Sequence, residues 1–98
     1  MTAALDAVTV QLPSSLRELV GGAQSITVSP APADVGALLD SLALTHPVLE
    51  RRLRDETGTI RRYVNVYVDG DDIRRAQGVA TPVVAGITVQ ILPSIAGG

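Results

Sequence analysis

The part of this chain that most invites chemistry carries almost no side chains. The 98-residue sequence closes on LPSIAGG, residues 92–98, a glycine pair behind a proline. An α-carboxyl is ionised at neutral pH, and glycine is poorly suited to finishing a packed element because it keeps the most backbone freedom. At the usual ~7% glycine usage, a chance terminal pair arises in well under about one chain in a hundred. Other reactive groups are few. There is no cysteine, hence no thiolate nucleophile, disulfide framework or cysteine zinc site. His46 is the sole histidine and precedes Pro47, so it has no second imidazole with which to hold zinc and reads as a helix-end residue. The run DGDD, residues 69–72, has a calcium loop's acidity without its spacing or closing glutamate, and reads as a turn. No Ser-His-Asp set, phosphate-cradling glycine loop or carboxylate pair stands out, and no metal site is expected.

The elements that must position the tail follow from composition and periodicity. Hydrophobic residues make up 46% of the chain, yet the only aromatics are Tyr63 and Tyr67, so the core is expected to be aliphatic. The length suits one small domain. A formal charge of −2 gives no electrostatic reason to expect nucleic acid. No apolar run reaches the ~18–20 residues of a membrane span, and residues 1–7 lack the pattern of a signal peptide; the expectation is a cytoplasmic domain, away from membranes. All eight basic residues are arginine, through codon bias or because an activated carboxyl end is safer in a chain without side-chain amines.

Residues 7–12, AVTVQL, alternate with period two and predict a strand that Pro13 ends. Residues 25–29, SITVS, predict its partner across a long connection with Gly21-Gly22 turn chemistry. Val35, Leu38, Leu39 and Leu42 fall on one face of a helix, with Asp34 as N-cap and Pro47 closing it. Residues 48–53 suit another short helical turn, and residues 55–59 a polar loop. The clearest strand is RRYVNVYV, residues 61–68, which Asp69-Gly70 turns into a short return strand over residues 71–74. Residues 78–86 read as loop. ITVQIL, residues 87–92, predicts a last strand stopped by Pro93. One main helix against a mixed sheet of four to five strands is an α+β arrangement. The domain is placed at residues 1–92 and a flexible tail at residues 93–98.

This order, with LPSIAGG behind an alternating strand, resembles the ubiquitin-like β-grasp sulfur carriers of the ThiS/MoaD type over residues 8–98. The stretches RRYVNVYVDGDDIR and PVLERRLRDETG are most similar to the carriers serving actinobacterial cysteine biosynthesis and to longer molybdopterin-type relatives. One departure is Ala85-Gly86-Ile87, where the family often has an acidic turn before the last strand.

The resemblance implies a protein co-substrate, not an enzyme. Its Gly98 carboxylate would be adenylated by an ATP-dependent activating enzyme and converted to a thiocarboxylate. Ile95, Ala96 and Gly97 would thread into that partner, with Ile95 at the channel mouth, and Tyr63, Tyr67 and Leu92 would dock from the sheet face away from the helix. No cofactor is expected on this chain. Pyridoxal phosphate would belong to an acceptor synthase making cysteine, and zinc to a metalloprotease that trims the product. The carrier would be a monomer when free. The same tail also suits a molybdopterin synthase small subunit, a sulfur donor to thiosugar or siderophore pathways, or a ubiquitin-like modifier or interaction module. The clusters at Arg51, Arg52 and Arg54, at Arg61-Arg62 and at Arg74-Arg75 read as solvated surface or as steering toward acidic partners.

Overall fold

A computed structural model describes residues 6–93. Alternation at the N-terminus produces β1 (Val8–Gln11), whose Val8 and Val10 are fully buried while Gln11 is exposed. It pairs antiparallel with β2 (Ser25–Val28), Val10 opposite Ile26. Pro13 does end the first strand, but the connection is more ordered than a plain turn. It holds a helical turn, α1 (Ser14–Arg17), and a 3-10 turn, Glu18–Val20, whose Leu16, Leu19 and Val20 pack against the margin of the core.

Helix α2 (Val35–Thr45) buries Val35, Leu38, Leu39 and Leu42, the four positions predicted by spacing. Asp34 caps it: its Oδ1 accepts from the Ala37 N–H at 2.8 Å, satisfying one of the free donors of the first turn. At the other end the His46 N–H donates to the Leu42 carbonyl at 2.7 Å. His46 thus closes α2, and α3 (Pro47–Leu53) begins with Pro47 in its first turn and buries Leu49 and Leu53.

The clearest predicted strand is shorter than its pattern. β3 covers Val64–Val68, because residues 61–63 serve a turn onto α3: the Arg61 N–H donates to the Leu53 carbonyl at 2.9 Å, and the Val64 N–H to the Arg61 carbonyl at 2.9 Å. The DGDD run forms the expected turn, with Asp69 at φ 52° and Gly70 at φ 88°, a left-handed pair that a tight hairpin requires. The return strand β4 is only Asp71–Asp72. Asp72 then caps a 3-10 turn, Ile73–Arg75, by accepting from the Arg74 N–H at 2.9 Å. Residues 78–86 contain a 3-10 turn, Gly78–Ala80, and are tied down: the Val35 N–H donates to the Thr81 carbonyl at 3.0 Å and the Val83 N–H to the Ala33 carbonyl at 3.1 Å. Gly86, at φ 89°, makes the turn before the last strand without the acidic neighbours, and its N–H donates to the Ala7 carbonyl at 2.8 Å.

The last strand, β5 (Thr88–Pro93), is displaced by one residue from its expected bounds and includes Pro93. The sheet order is β2-β1-β5-β3-β4, with β5 parallel to β1 and antiparallel to β3. The helices cover one face, over an all-aliphatic core that includes Val8, Val10, Leu38, Leu39, Leu42, Val66, Val89 and Ile91. This is the β-grasp arrangement, with five strands. Among the described residues no helix is long and apolar enough to cross a membrane.

Candidate functional site

Four of the predicted site residues, Ile95, Ala96, Gly97 and Gly98, lie outside the described residues, as does all of the tail beyond Pro93. What the structure positions is the root of that tail. β5 is the middle strand, hydrogen-bonded on both sides, and its last residues pair with β3 as Leu92 opposite Asn65 and Pro93 opposite Val64. The pairing with β1 ends at Gln90, so the root itself is held by the β3 ladder alone.

The face away from the helices is built from the alternate residues of each strand. Gln90 stands between Gln11 on β1 and Tyr67 on β3, and Thr88 beside Thr9. Tyr67 is half-buried, also paired across to Asp72. Leu92 continues the same row and is 36% exposed. Tyr63 departs from the expectation. Its alternation with Val64 and Asn65 predicts a strand residue, but it sits in the turn before β3, 55% exposed, because the backbone at Arg61 is drawn to α3. Tyr67 and Leu92 therefore share the open sheet face, and Tyr63 flanks the end of the sheet.

Two hollows adjoin the tail root. One, of about 270 Å³, is lined by Gln11, Pro13, Arg17, Gln24, Gln90 and Leu92 among others. The second, about 160 Å³, brings Tyr63 together with Leu16, Arg52, Leu92 and Pro93. The Arg17 Nε donates to the Leu12 carbonyl at 3.0 Å, which holds it beside β1. Neither hollow is lined by a carboxylate, and each holds one arginine, Arg17 in the first and Arg52 in the second. Sequence reading missed Arg17 and Arg52 in this role. Their proximity depends on α1 and α3 ending near β5, and no local pattern announces it.

Several other charged groups are engaged in structure. Arg54 bridges Glu50 and Asp40 at 2.5 and 2.9 Å. Burial works against its charge, but these two carboxylates outweigh it and hold its pKa above the ordinary value. The Asp72 carboxyl is held below the usual carboxylate range by the Arg74 guanidinium. The Asp55 carboxyl is lowered by the Thr57 hydroxyl and by backbone N–H groups of the same loop. Among the described residues no cluster of three or more histidine or acidic side chains is placed to hold a metal ion. Among the described residues the arrangement offers an open sheet face and two hollows, lined in part by Arg17 and Arg52.

Known proteins share both the sequence and this fold. Residues 10–98 match the ThiS family. The sulfur carrier protein CysO of Mycobacterium tuberculosis is 38% identical over 93 residues, covering 93% of this chain and 98% of that one. Its crystal structure superposes with a TM-score of 0.81, covering 90% of this chain and 99% of that one. CysO of Amycolatopsis orientalis, crystallised in complex with BexX, gives the same TM-score of 0.81 at 36% identity, covering 93% of this chain and 99% of that one. Small archaeal modifier protein 3 of Haloferax volcanii is 32% identical over 85 residues, 87% of this chain and 91% of that one. With its ubiquitin-like β-grasp fold and a match that runs from β1 through the closing glycines, the chain belongs to the ThiS family.

Proposed function

We propose that this protein is a sulfur carrier whose working group is the Gly98 carboxylate, and that it serves cysteine biosynthesis. The observation that carries the reading is the near end-to-end similarity to CysO, 38% identity across 93% of the chain. The chemistry follows from the tail. A carboxylate oxygen attacks the α-phosphorus of ATP and pyrophosphate leaves. A sulfur nucleophile then attacks the acyl carbon and AMP leaves, so that one oxygen of Gly98 is replaced by sulfur. Gly97 and Gly98 present no side chain to a narrow active site, and Ala96 and Ile95 follow them in.

In this reading the protein is a co-substrate. An ATP-dependent activating enzyme docks on Tyr63, Tyr67 and Leu92. A pyridoxal-phosphate synthase accepts the sulfur, and a metalloprotease releases the product. Those cofactors reside on the partners. That a CysO has been crystallised in complex with BexX supports the idea of a carrier that docks on other proteins.

The test is an intact mass measured after incubation with ATP, a sulfide source and the activating enzyme of the same host. The expected result is a shift equal to exchange of one oxygen for sulfur, absent when Gly98 is deleted. No shift, where a control carrier does react, rejects the reading. The likeness to small archaeal modifier protein 3 favours one second reading, a protein modifier, which would show instead as isopeptide adducts on lysines of other proteins.

A further inference from the structure

The sheet has a second feature, along the outer edge of β3. β4 pairs only with Tyr67 and Val68, so residues 64–66 of β3 have no strand on their outer side. A strand edge without a partner is a template for another chain. Beside this edge runs a groove of about 380 Å³. Val64, Val66 and Ile73 form its floor, with Ile60 and the 45%-exposed Val79 along its walls. Its polar rim is almost wholly cationic: Arg61, Arg62 and Arg74 line it, and no carboxylate does. In a chain of net charge −2, that is a local inversion of sign.

The three arginines are held differently. Arg74 reaches across the edge of β3, donating to the Asn65 side-chain oxygen and to Asp72. The Arg61 Nε donates to the Arg51 carbonyl at 2.8 Å, which fixes the guanidinium between this groove and the hollow that holds Asp55 and Glu56. Among the described residues neither Arg61 nor Arg62 forms an ion pair. Arg62 therefore stands unpaired at one end of an apolar groove, beside Arg61, whose charge also faces Asp55, and Arg74 lies near the middle of the free edge.

We propose that this groove docks an extended acidic segment of a partner protein, aliphatic side chains alternating with carboxylates, which adds as a strand along residues 64–66. The alternation follows from strand geometry. Successive side chains of an added strand point to opposite faces. Those on the core side lie over Val64, Val66 and Ile73 and must be aliphatic. Those on the other side meet Arg74 beside Asn65, or Arg62 at the end, and must be anionic. Backbone pairing supplies affinity and the alternate side chains supply selectivity, as in other cases of strand addition. The edge adjoins the tail root, since Val64 lies opposite Pro93 and lines hollows at both places.

The experiment is a titration of the full, 15N-labelled chain with a short peptide alternating valine and glutamate, and with one alternating valine and lysine. The acidic peptide is expected to shift the amides of Ile60, Val64, Val66 and Ile73 and to bind more weakly as salt rises. The basic peptide is expected not to bind. Arg62→Glu, an exposed position, should weaken the acidic peptide by about tenfold, because reversal replaces attraction by repulsion. Val79→Asp, on the wall, should do the same, and deletion of Gly98 should leave binding unchanged. Three results would overturn the proposal: no binding of the acidic peptide at about 1 mM, equal binding of both peptides, or shifts confined to Tyr67, Gln90 and Leu92. Because sulfur loading plays no part in the readout, failure here and failure of the carrier reading are distinguishable.

Discussion

Tyr63 and Leu92 flank the point where the chain leaves the sheet, and they divide their surface differently between fold and solvent. Leu92 is 36% exposed and Tyr63 55% exposed. Burying a leucine completely stabilises by about 1.5–3 kcal/mol. About two-thirds of that, roughly 1–2 kcal/mol, is already committed to the fold at Leu92, leaving about 0.5–1 kcal/mol for docking. A tyrosine offers about 150–250 Å². The exposed part of Tyr63 is then about 80–140 Å², worth up to about 2–3.5 kcal/mol at ~25 cal/mol per Å². Tyr63→Ala is therefore expected to raise the Michaelis constant of the activating enzyme for this carrier by about thirtyfold or more if that surface is fully covered. Leu92→Ala should raise it only about two- to fivefold while lowering stability by about 1–2 kcal/mol. The assays are pyrophosphate release at varied carrier concentration and urea unfolding of the same preparations. A Tyr63→Ala carrier within twofold of the parent would refute docking at the tail root. The reverse ranking, with Leu92→Ala the worse substrate at equal stability, would refute the partition by exposed area.

Asp34→Ala removes the acceptor for the Ala37 N–H and should cost about 1 kcal/mol. In a domain of this size that is a fall in melting temperature of about 4–8 °C, and an unchanged melt would show that the cap bond is idle. Leu39→Ala opens a hole beneath the sheet at a fully buried position and should cost about 2–5 kcal/mol; a loss under about 1 kcal/mol in urea would contradict the packing. The Asp55 and Asp72 carboxyls titrate below the ordinary 3.8 when folded, so their stabilisation is complete above that value and is lost as pH falls through the folded-state values. Circular dichroism should show an acid limb beginning below about pH 4, and Asp55→Asn should make that limb shallower; a steeper limb would reverse the sign of the argument.

Much of the fold was legible because its determinants are local. The i, i+3, i+4, i+7 spacing of Val35, Leu38, Leu39 and Leu42, the Asp34 cap and the Asp69-Gly70 turn each need only a few neighbouring residues, and each appears as expected. The errors fall where a distant partner competes for the backbone. Residues 61–63 have strand alternation, yet the Arg61 N–H goes to the Leu53 carbonyl, and Tyr63 leaves the strand with it. The return strand stops after Asp72 because that side chain caps the next turn instead. α1 has no long apolar stripe to reveal it, and four residues carry too little periodicity.

The closing glycines and the alternation of β5 are properties of the chain alone, and they already specified a strand followed by a side-chain-free end. Where β5 lies in the sheet was decided by tertiary structure. Parallel pairing of β1 with β5 needs a crossover of most of the chain, and this long-range ladder puts the tail root in the middle of the sheet. The same topology gathers Arg17 and Arg52 around the root and leaves residues 64–66 on an open edge beside Arg61, Arg62 and Arg74. Charges scattered along a sequence acquire a common field only when folding brings them within a screening length of one another.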